Sequence, residues 1–267
     1  MYGAVDIGGT KTLVGVFDEN GSLVKQVRFK TPTLYSDFKE ELSKNTKALG
    51  EIKYKVTTMA LPGKVDRAKG LGLAFSNLAW ENVTARDDAE KIFNCPVLIE
   101  NDSKLAALSE AVELKEYKKV LYITISTGIN GGFIVNGKID KSIEDSEMGQ
   151  MLFEHDGELK QWQSFASGHA LVETYGKPAS DLNDPEAWIK IAHNIAIGLI
   201  DLIATLTPNI IVLGGGVGAH YDKFKEPLEK ELQSYKTDLL TIPPIIQAKR
   251  AEEAVMYGCL EYGKYNV

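Results

Sequence analysis

Apolar residues recur with two periods along this chain, and the points where the period changes mark its elements. Tyr2–Ile7, Thr12–Asp18 and Ser22–Lys30 read as three short strands, with Asn20-Gly21 as the turn between the last two. Asp37–Leu49 shifts to helical spacing, and Lys55–Leu61 returns to a strand that stops at Pro62-Gly63. Ala85–Phe93 is predicted as a helix, Val97–Glu100 as a short strand and Ser103–Leu114 as an Ala-rich helix.

Lys119–Ser126 opens a second stretch of the same design. This strongly apolar strand runs into the loop Thr127-Gly128-Ile129-Asn130-Gly131-Gly132, and Phe133–Asn136 returns as a strand before an Asn136-Gly137 turn. Strand, Gly/Thr loop, strand and Asn-Gly turn therefore occur twice. The repetition suggests a duplicated lobe with the two loops facing one ligand; two hairpins alike by chance would give the same pattern. Pro185–Leu206 is the longest helix, with Trp188, Ile191, Ile195, Leu199, Leu202 and Leu206 forming a core stripe. Ile210–Leu213 is a strand ending in Gly214-Gly215-Gly216. A helix is expected from near His220, a strand near Ile245–Gln247 and a closing helix over Ala251–Tyr262. Strands alternating with helices, and glycine loops at strand ends, predict an α/β fold that binds ligands at those ends.

Composition narrows the function classes. The chain has 267 residues, 44% of them hydrophobic, enough for one large domain or two lobes with separate cores. Its net charge of −7, with both signs interspersed, argues against nucleic acid as the main partner. No charged and apolar leader opens the sequence, and no apolar run is read as long enough to span a bilayer, so a cytoplasmic protein without a membrane partner is expected. Cys95 and Cys259 lie far apart and read as free thiols.

The most informative chemistry lies between the first two strands, in Asp6-Ile7-Gly8-Gly9-Thr10-Lys11-Thr12. Glycines let the backbone bring N–H groups against an anion, and Thr10 and Lys11 add a hydroxyl and a positive charge. Asp6 is placed to hold a hydrated divalent cation. A structural hairpin would need only a turn pair, so a metal-bound polyphosphate is the better reading. The loop differs in type from the common nucleotide loop, because Thr10 precedes Lys11 and a strand follows.

Four segments in order, Asp6–Thr12, Glu100-Asn101-Asp102, Ser126–Gly132 and Leu213–Gly216, together resemble the ROK family of sugar kinases within the actin/hexokinase-like superfamily. The resemblance spans nearly the whole chain. It implies a two-lobed α/β fold of ribonuclease H-like type with a cleft between lobes, usually dimeric. The lobes are expected over 1–114, with 250–267 packing back, and over 115–249. It implies phosphate contacts from Gly8, Gly9, Thr10, Lys11, Thr127 and Gly128, and adenosine support from Gly214, Gly215 and Gly216. Asp102 becomes the candidate proton acceptor for a sugar hydroxyl; alone, it would read as the N-cap of the following helix. Asn101 is expected to bond a neighbouring sugar hydroxyl.

Phe75-Ser76-Asn77-Leu78-Ala79-Trp80 looks like the family's sugar-binding segment shortened by one residue, making Asn77 a sugar ligand and leaving Trp80 to packing. Pro62 and Gly63 resemble a turn lining the same pocket. Glu147 matches a sugar-binding glutamate, while Gln150 stands where the family has a histidine that binds both sugar and zinc and Gln163 where it has a second glutamate; the resemblance implies both as sugar ligands, with the sugar's identity altered. Glu154–Ser164 holds no cysteine, so no zinc is expected, with only His155 and His169 nearby. His193 and His220 read as ordinary.

The expectation is therefore an ATP- and Mg-dependent kinase of a hexose or similar sugar. Inorganic polyphosphate is the alternative donor, and a degenerate kinase that senses sugar or nucleotide without turnover is the alternative role. A DNA-binding regulator of the family would need a domain before Asp6 for which this chain leaves no room. Gly214 to Ala219 also fits the dinucleotide fingerprint G-x-G-x-x-A, but it falls too late in the chain to open a Rossmann fold.

Overall fold

Tyr2–Ile7 (β1) is buried along nearly its whole length, as a strand covered on both faces must be, and it forms the centre of the first sheet. The computed structural model describes residues 1–250 and 253–267; the expected start of the closing helix at Ala251 lies outside them. Lys11–Phe17 (β2) and Leu23–Lys30 (β3) add antiparallel strands on one side. After Tyr35–Ala48 (α1), Val56–Leu61 (β4) joins the other side in parallel. The chain then makes a small three-stranded sheet from Gly63–Asp66 (β5), Leu71–Phe75 (β6) and Glu81–Val83 (β7), strands that the apolar spacing does not announce. Ala85–Phe93 (α2) leads to Val97–Asn101 (β8), parallel to β4, and to Asp102–Ala111 (α3). The order is β3-β2-β1-β4-β8.

Two compact units divide the chain: residues 1–109 with 253–267, and residues 110–250. The boundary falls inside α3 after Ser109, earlier than the helix end at Leu114 used for the expected lobes. The second unit begins its sheet with Lys119–Ile125 (β9), Ile129–Val135 (β10) and Lys138–Ile139 (β11), all antiparallel. Ile129 to Gly132, expected as loop, is strand, so the loop contracts to Ser126-Thr127-Gly128. A hairpin of Leu152–His155 (β12) and Glu158–Gln161 (β13) follows, with the short helices Trp162–Ala166 (α4) and Gly168–Tyr175 (α5).

Pro185–Leu206 (α6) has the bounds its apolar spacing predicts. Asp184 caps it through the N–H of Glu186, and Pro185 takes the first helical turn, where a missing N–H costs nothing. By length and composition α6 could cross a membrane, which corrects the expectation that no apolar run is long enough. In this unit its Trp188, Ile191, Ile195 and Leu199 are core residues. Ile210–Gly214 (β14) pairs in parallel with β9. Gly215–Gly218 (α7) and Lys225–Ser234 (α8) precede Ile245–Gln247 (β15), parallel to β14. The helix expected from near His220 thus begins only at Lys225. The sheet order is β11-β10-β9-β14-β15.

The chain closes with Ala254–Tyr265 (α9) in the first unit. Met256, Cys259 and Leu260 of α9 pack with Tyr2, Ala4, Ala60 and Leu105, while Val5, Ile7, Met59 and Ile99 meet α1 and α2 on the opposite face. Strand alternation produces this split.

Candidate active site

In the first unit the predicted residues collect at the carboxyl ends of β1, β4 and β8, where parallel strands of an open sheet offer a ligand site. Register places Asp6 beside Ala60, and Ala60 beside Glu100; Leu61 lies beside Asn101. Gly8 turns β1 into β2, its N–H donating to the carbonyl of Lys11 at 2.9 Å. Thr31, which sequence reasoning missed, anchors this turn. Its hydroxyl donates to the carbonyl of Gly8 at 2.7 Å, its N–H donates to that of Thr10 at 3.1 Å, and Thr12 Oγ1 lies 2.9 Å from it. The turn is therefore held by a buried threonine pair while Thr10 and Lys11 remain exposed.

Asp6 is half-buried. Burial first, and then the negative charge of Asp102, push its carboxyl up to about 7; the ammonium of Lys11 pulls it down. Asp6 thus feels both Lys11 of its own segment and the carboxylate of Asp102, far away in sequence. A hydrated divalent cation fits this all-oxygen pair, since it would offset the charge that burial and Asp102 make unfavourable on Asp6.

The β8–α3 corner corrects one reading of Asp102. Asn101, rather than Asp102, caps α3: its Oδ1 accepts from the N–H of Ser103 at 3.0 Å, the hydroxyl of Ser103 at 2.5 Å and the N–H of Lys104 at 3.3 Å. Its Nδ2 donates to the carbonyl of Gly63 at 2.9 Å, so this buried amide ties two strand ends together. Asp102 is the first residue of the helix, half-buried, with Oδ1 accepting from the N–H of Ser103 at 2.7 Å.

Pro62 and Gly63 join the group through β6. The carbonyl of Pro62 accepts from the N–H of Ser76 at 3.0 Å, and Gly63 sits at φ +153°, where a Cβ would collide with the carbonyl of Ala74. Asn77 is exposed and packs on the glycine turn: a Cβ on Gly9 would lie 2.8 Å from that of Asn77. Trp80 is buried, donates to the carbonyl of Thr33 at 2.9 Å and packs among Tyr35, Phe38 and Phe75, the packing role expected of it.

The second unit gathers the other predicted residues around Ser126. Its N–H donates to the carbonyl of Gly128 at 2.9 Å, closing the Thr127-Gly128 turn, and its carbonyl accepts from the N–H of Gly168 at 2.7 Å. The Ser126 hydroxyl accepts from the N–H of Gly216 at 3.2 Å, which joins the Gly214–Gly216 turn to the same loop. Gly215 has φ +79° and lies against the carbonyl of Ile125. Thr127 is exposed.

Gln163 lies beside this loop: a Cβ on Gly128 would sit 2.9 Å from its Oε1, and one on Gly149 3.1 Å. Glu147 is exposed and accepts from Asn130 Nδ2 at 3.0 Å, a partner that sequence reasoning did not single out. Gln150 is exposed, its N–H donating to the carbonyl of Glu147 at 3.0 Å.

Among the described residues no three His, Cys, Asp or Glu side chains form a metal-holding group. His155 stacks on Phe165 with ring centroids 4.1 Å apart and lies 3.3 Å from Asn194 Oδ1; His193 pairs with Glu231 at 3.0 Å. His155 thus has a packing and a polar partner, and His193 a polar one.

The family model described as "ROK family" matches residues 2–263. A fructokinase of Lactococcus lactis subsp. cremoris is 26% identical over 233 residues, covering 81% of this chain and 79% of its own. An N-acetyl-D-glucosamine kinase of Haemophilus influenzae (strain 86-028NP) is 27% identical over 301 residues, covering 97% of each. The crystal structure of a ROK family glucokinase from Streptomyces griseus in complex with glucose and AMPPNP superposes with a TM-score of 0.81 at 22% identity, over 98% of both chains. At that identity the likeness speaks for the fold, which is the actin/hexokinase-like α/β fold expected from the sequence.

Proposed function

The chain belongs to the ROK family, and from that premise we propose that it is a sugar kinase transferring the terminal phosphoryl group of ATP to a hydroxyl of a hexose or related sugar. One observation carries the proposal. Asn101 caps α3, and Asp102 beside it, its Oδ1 accepting from the N–H of Ser103, stands at the strand ends close enough to Asp6 for its charge to raise that carboxyl.

A sugar hydroxyl attacks phosphorus poorly until its proton has an acceptor, and Asp102 is that acceptor in this reading. Phosphoryl transfer otherwise needs alignment and charge neutralisation. Lys11 and the Gly8-Gly9-Thr10 turn supply both to the donor phosphates. Mg2+, held by Asp6 through water, would add charge neutralisation at the phosphates. The Thr127-Gly128 turn and the Gly214–Gly216 turn are assigned to the nucleotide, the first by hydroxyl and backbone N–H, the second by close backbone approach. Pro62, Gly63, Asn77, Asn101, Glu147, Gln150 and Gln163 are assigned to the sugar side. Gln163 can donate as well as accept, which changes the hydroxyl pattern it selects relative to a glutamate. A cytoplasmic homodimer completes the proposal.

The test is a coupled assay over hexoses and N-acetylhexosamines, with ATP or inorganic polyphosphate as donor and with or without Mg2+. Mg-dependent turnover of one sugar with ATP is expected. Turnover with polyphosphate alone would replace the donor. A sugar that raises the melting temperature without being phosphorylated would replace catalysis with sensing.

A further inference from the structure

Glu100 precedes the Asn101-Asp102 corner, and its side chain is wholly removed from solvent. A buried carboxylate needs a matched partner, and Glu100 has one from a different element. Arg67, at the turn after β5, donates through Nε to Glu100 Oε2 at 2.7 Å and through Nη2 to Oε1 at 2.5 Å. Two parallel bonds between planar groups fix both direction and distance. Glu100 Oε1 also accepts from the N–H of Asn101 at 2.6 Å, so the carboxylate held by Arg67 holds in turn the peptide that leads from strand to helix.

That peptide carries the whole corner. Asn101 caps α3 and reaches the carbonyl of Gly63, and Asp102 follows directly. The turn bearing Arg67 is itself pinned by α2: Arg86 donates to the carbonyls of Arg67 at 3.2 Å and Ala68 at 3.3 Å. A buried ion pair is a weak stabiliser, since an apolar pair of similar volume serves as well or better. Its value here is directional.

Resting on the kinase reading above, we propose that Arg67 is a positioning residue for the transfer step, aiming Asp102 through Glu100 and the Asn101 peptide. A small misplacement of a reacting group costs up to about 100-fold in rate, so the loss should fall on turnover rather than on substrate binding.

The experiment compares wild type with Arg67→Met and Arg67→Lys, reading kcat, the KM of sugar and donor, the melting temperature and amide hydrogen exchange at Asn101. Arg67→Met should lower kcat about 10- to 100-fold, shift each KM less than about 3-fold and speed exchange at Asn101 at least about 10-fold. Arg67→Lys should fall between the two, because an ammonium restores the charge without the fork. Unchanged kcat and unchanged exchange in Arg67→Met would overturn the proposal, as would a kcat loss matched by equal KM changes. If Arg67→Met does not fold, Glu100→Gln, which keeps the volume, carries the same expectations. Exchange at Asn101 needs no turnover. A wild type that phosphorylates no sugar therefore ends the kinase reading separately, while unchanged exchange ends the positioning one.

Discussion

The two sheets share one strand order and differ in what they present at its open end. In the first unit β3-β2-β1-β4-β8 ends in ionisable groups: Asp6 near the end of β1, Glu100 and Asp102 around the end of β8, and Lys11 opening β2. In the second, β11-β10-β9-β14-β15 places Thr124 beside Asn130 and Gly214 where the first places Asp6 beside Leu13 and Ala60. Its turn, Ser126-Thr127-Gly128, carries hydroxyls and backbone N–H groups only. One frame thus ends in carboxylates and an ammonium, the other in hydroxyls and backbone N–H groups. Architecture sets where a ligand can sit; the few residues at the strand ends set what happens to it.

The largest test of that contrast is Asp102→Asn in the first unit. Turnover should fall about 100- to 10,000-fold, while the melting temperature changes little because Asn101 does the capping. Turnover that persists would remove the proton-transfer role from this sheet. Thr127→Val in the second unit should act on binding, raising the donor KM about 10-fold and leaving kcat nearly unchanged. A kcat loss as deep as that of Asp102→Asn would erase the distinction between the units.

Asp6→Asn separates stability from chemistry. The folded carboxyl is raised to about 7, so the folded state holds its proton where the unfolded state has released it. Stability from this group is therefore present at acid pH and lost as pH rises through the window up to about 7. The variant lacks that loss. Relative to wild type in Mg-free buffer, it should gain on the order of 1–3 kcal/mol between acid and neutral pH. Parallel melting curves across pH would show the group to be unperturbed. The smallest effect belongs to the hairpin of the second unit, where Leu159 is 73% exposed. Leu159→Gln should leave stability within about 0.5 kcal/mol, read by urea titration; a larger loss would mean that this face is covered.

Much of the frame was legible because period and punctuation are local signals. The bounds of α6 followed from its apolar stripe and Pro185, and strands such as β1, β4 and β14 from apolar runs stopped at Gly8-Gly9, Pro62-Gly63 and Gly214–Gly216. The small sheet β5-β6-β7 was missed because its strands are short and half-exposed, with no clean alternation. The hairpin β12–β13 was missed for the same reason.

The sequence by itself determined the two strand-loop-strand modules, the α/β class and which short motifs carry chemistry, because spacing along a chain is enough to define them. Only the tertiary structure decided that Asn101 caps α3, that Thr31 locks the glycine turn, that Asn77 lies on Gly9 and that Arg67 grips Glu100. The cap at Asn101 is local, but the other three join groups far apart in the chain, whose meeting depends on how the strands and loops are arranged. Such meetings are fixed when strands align, and residues distant in the chain have no local signal that announces them.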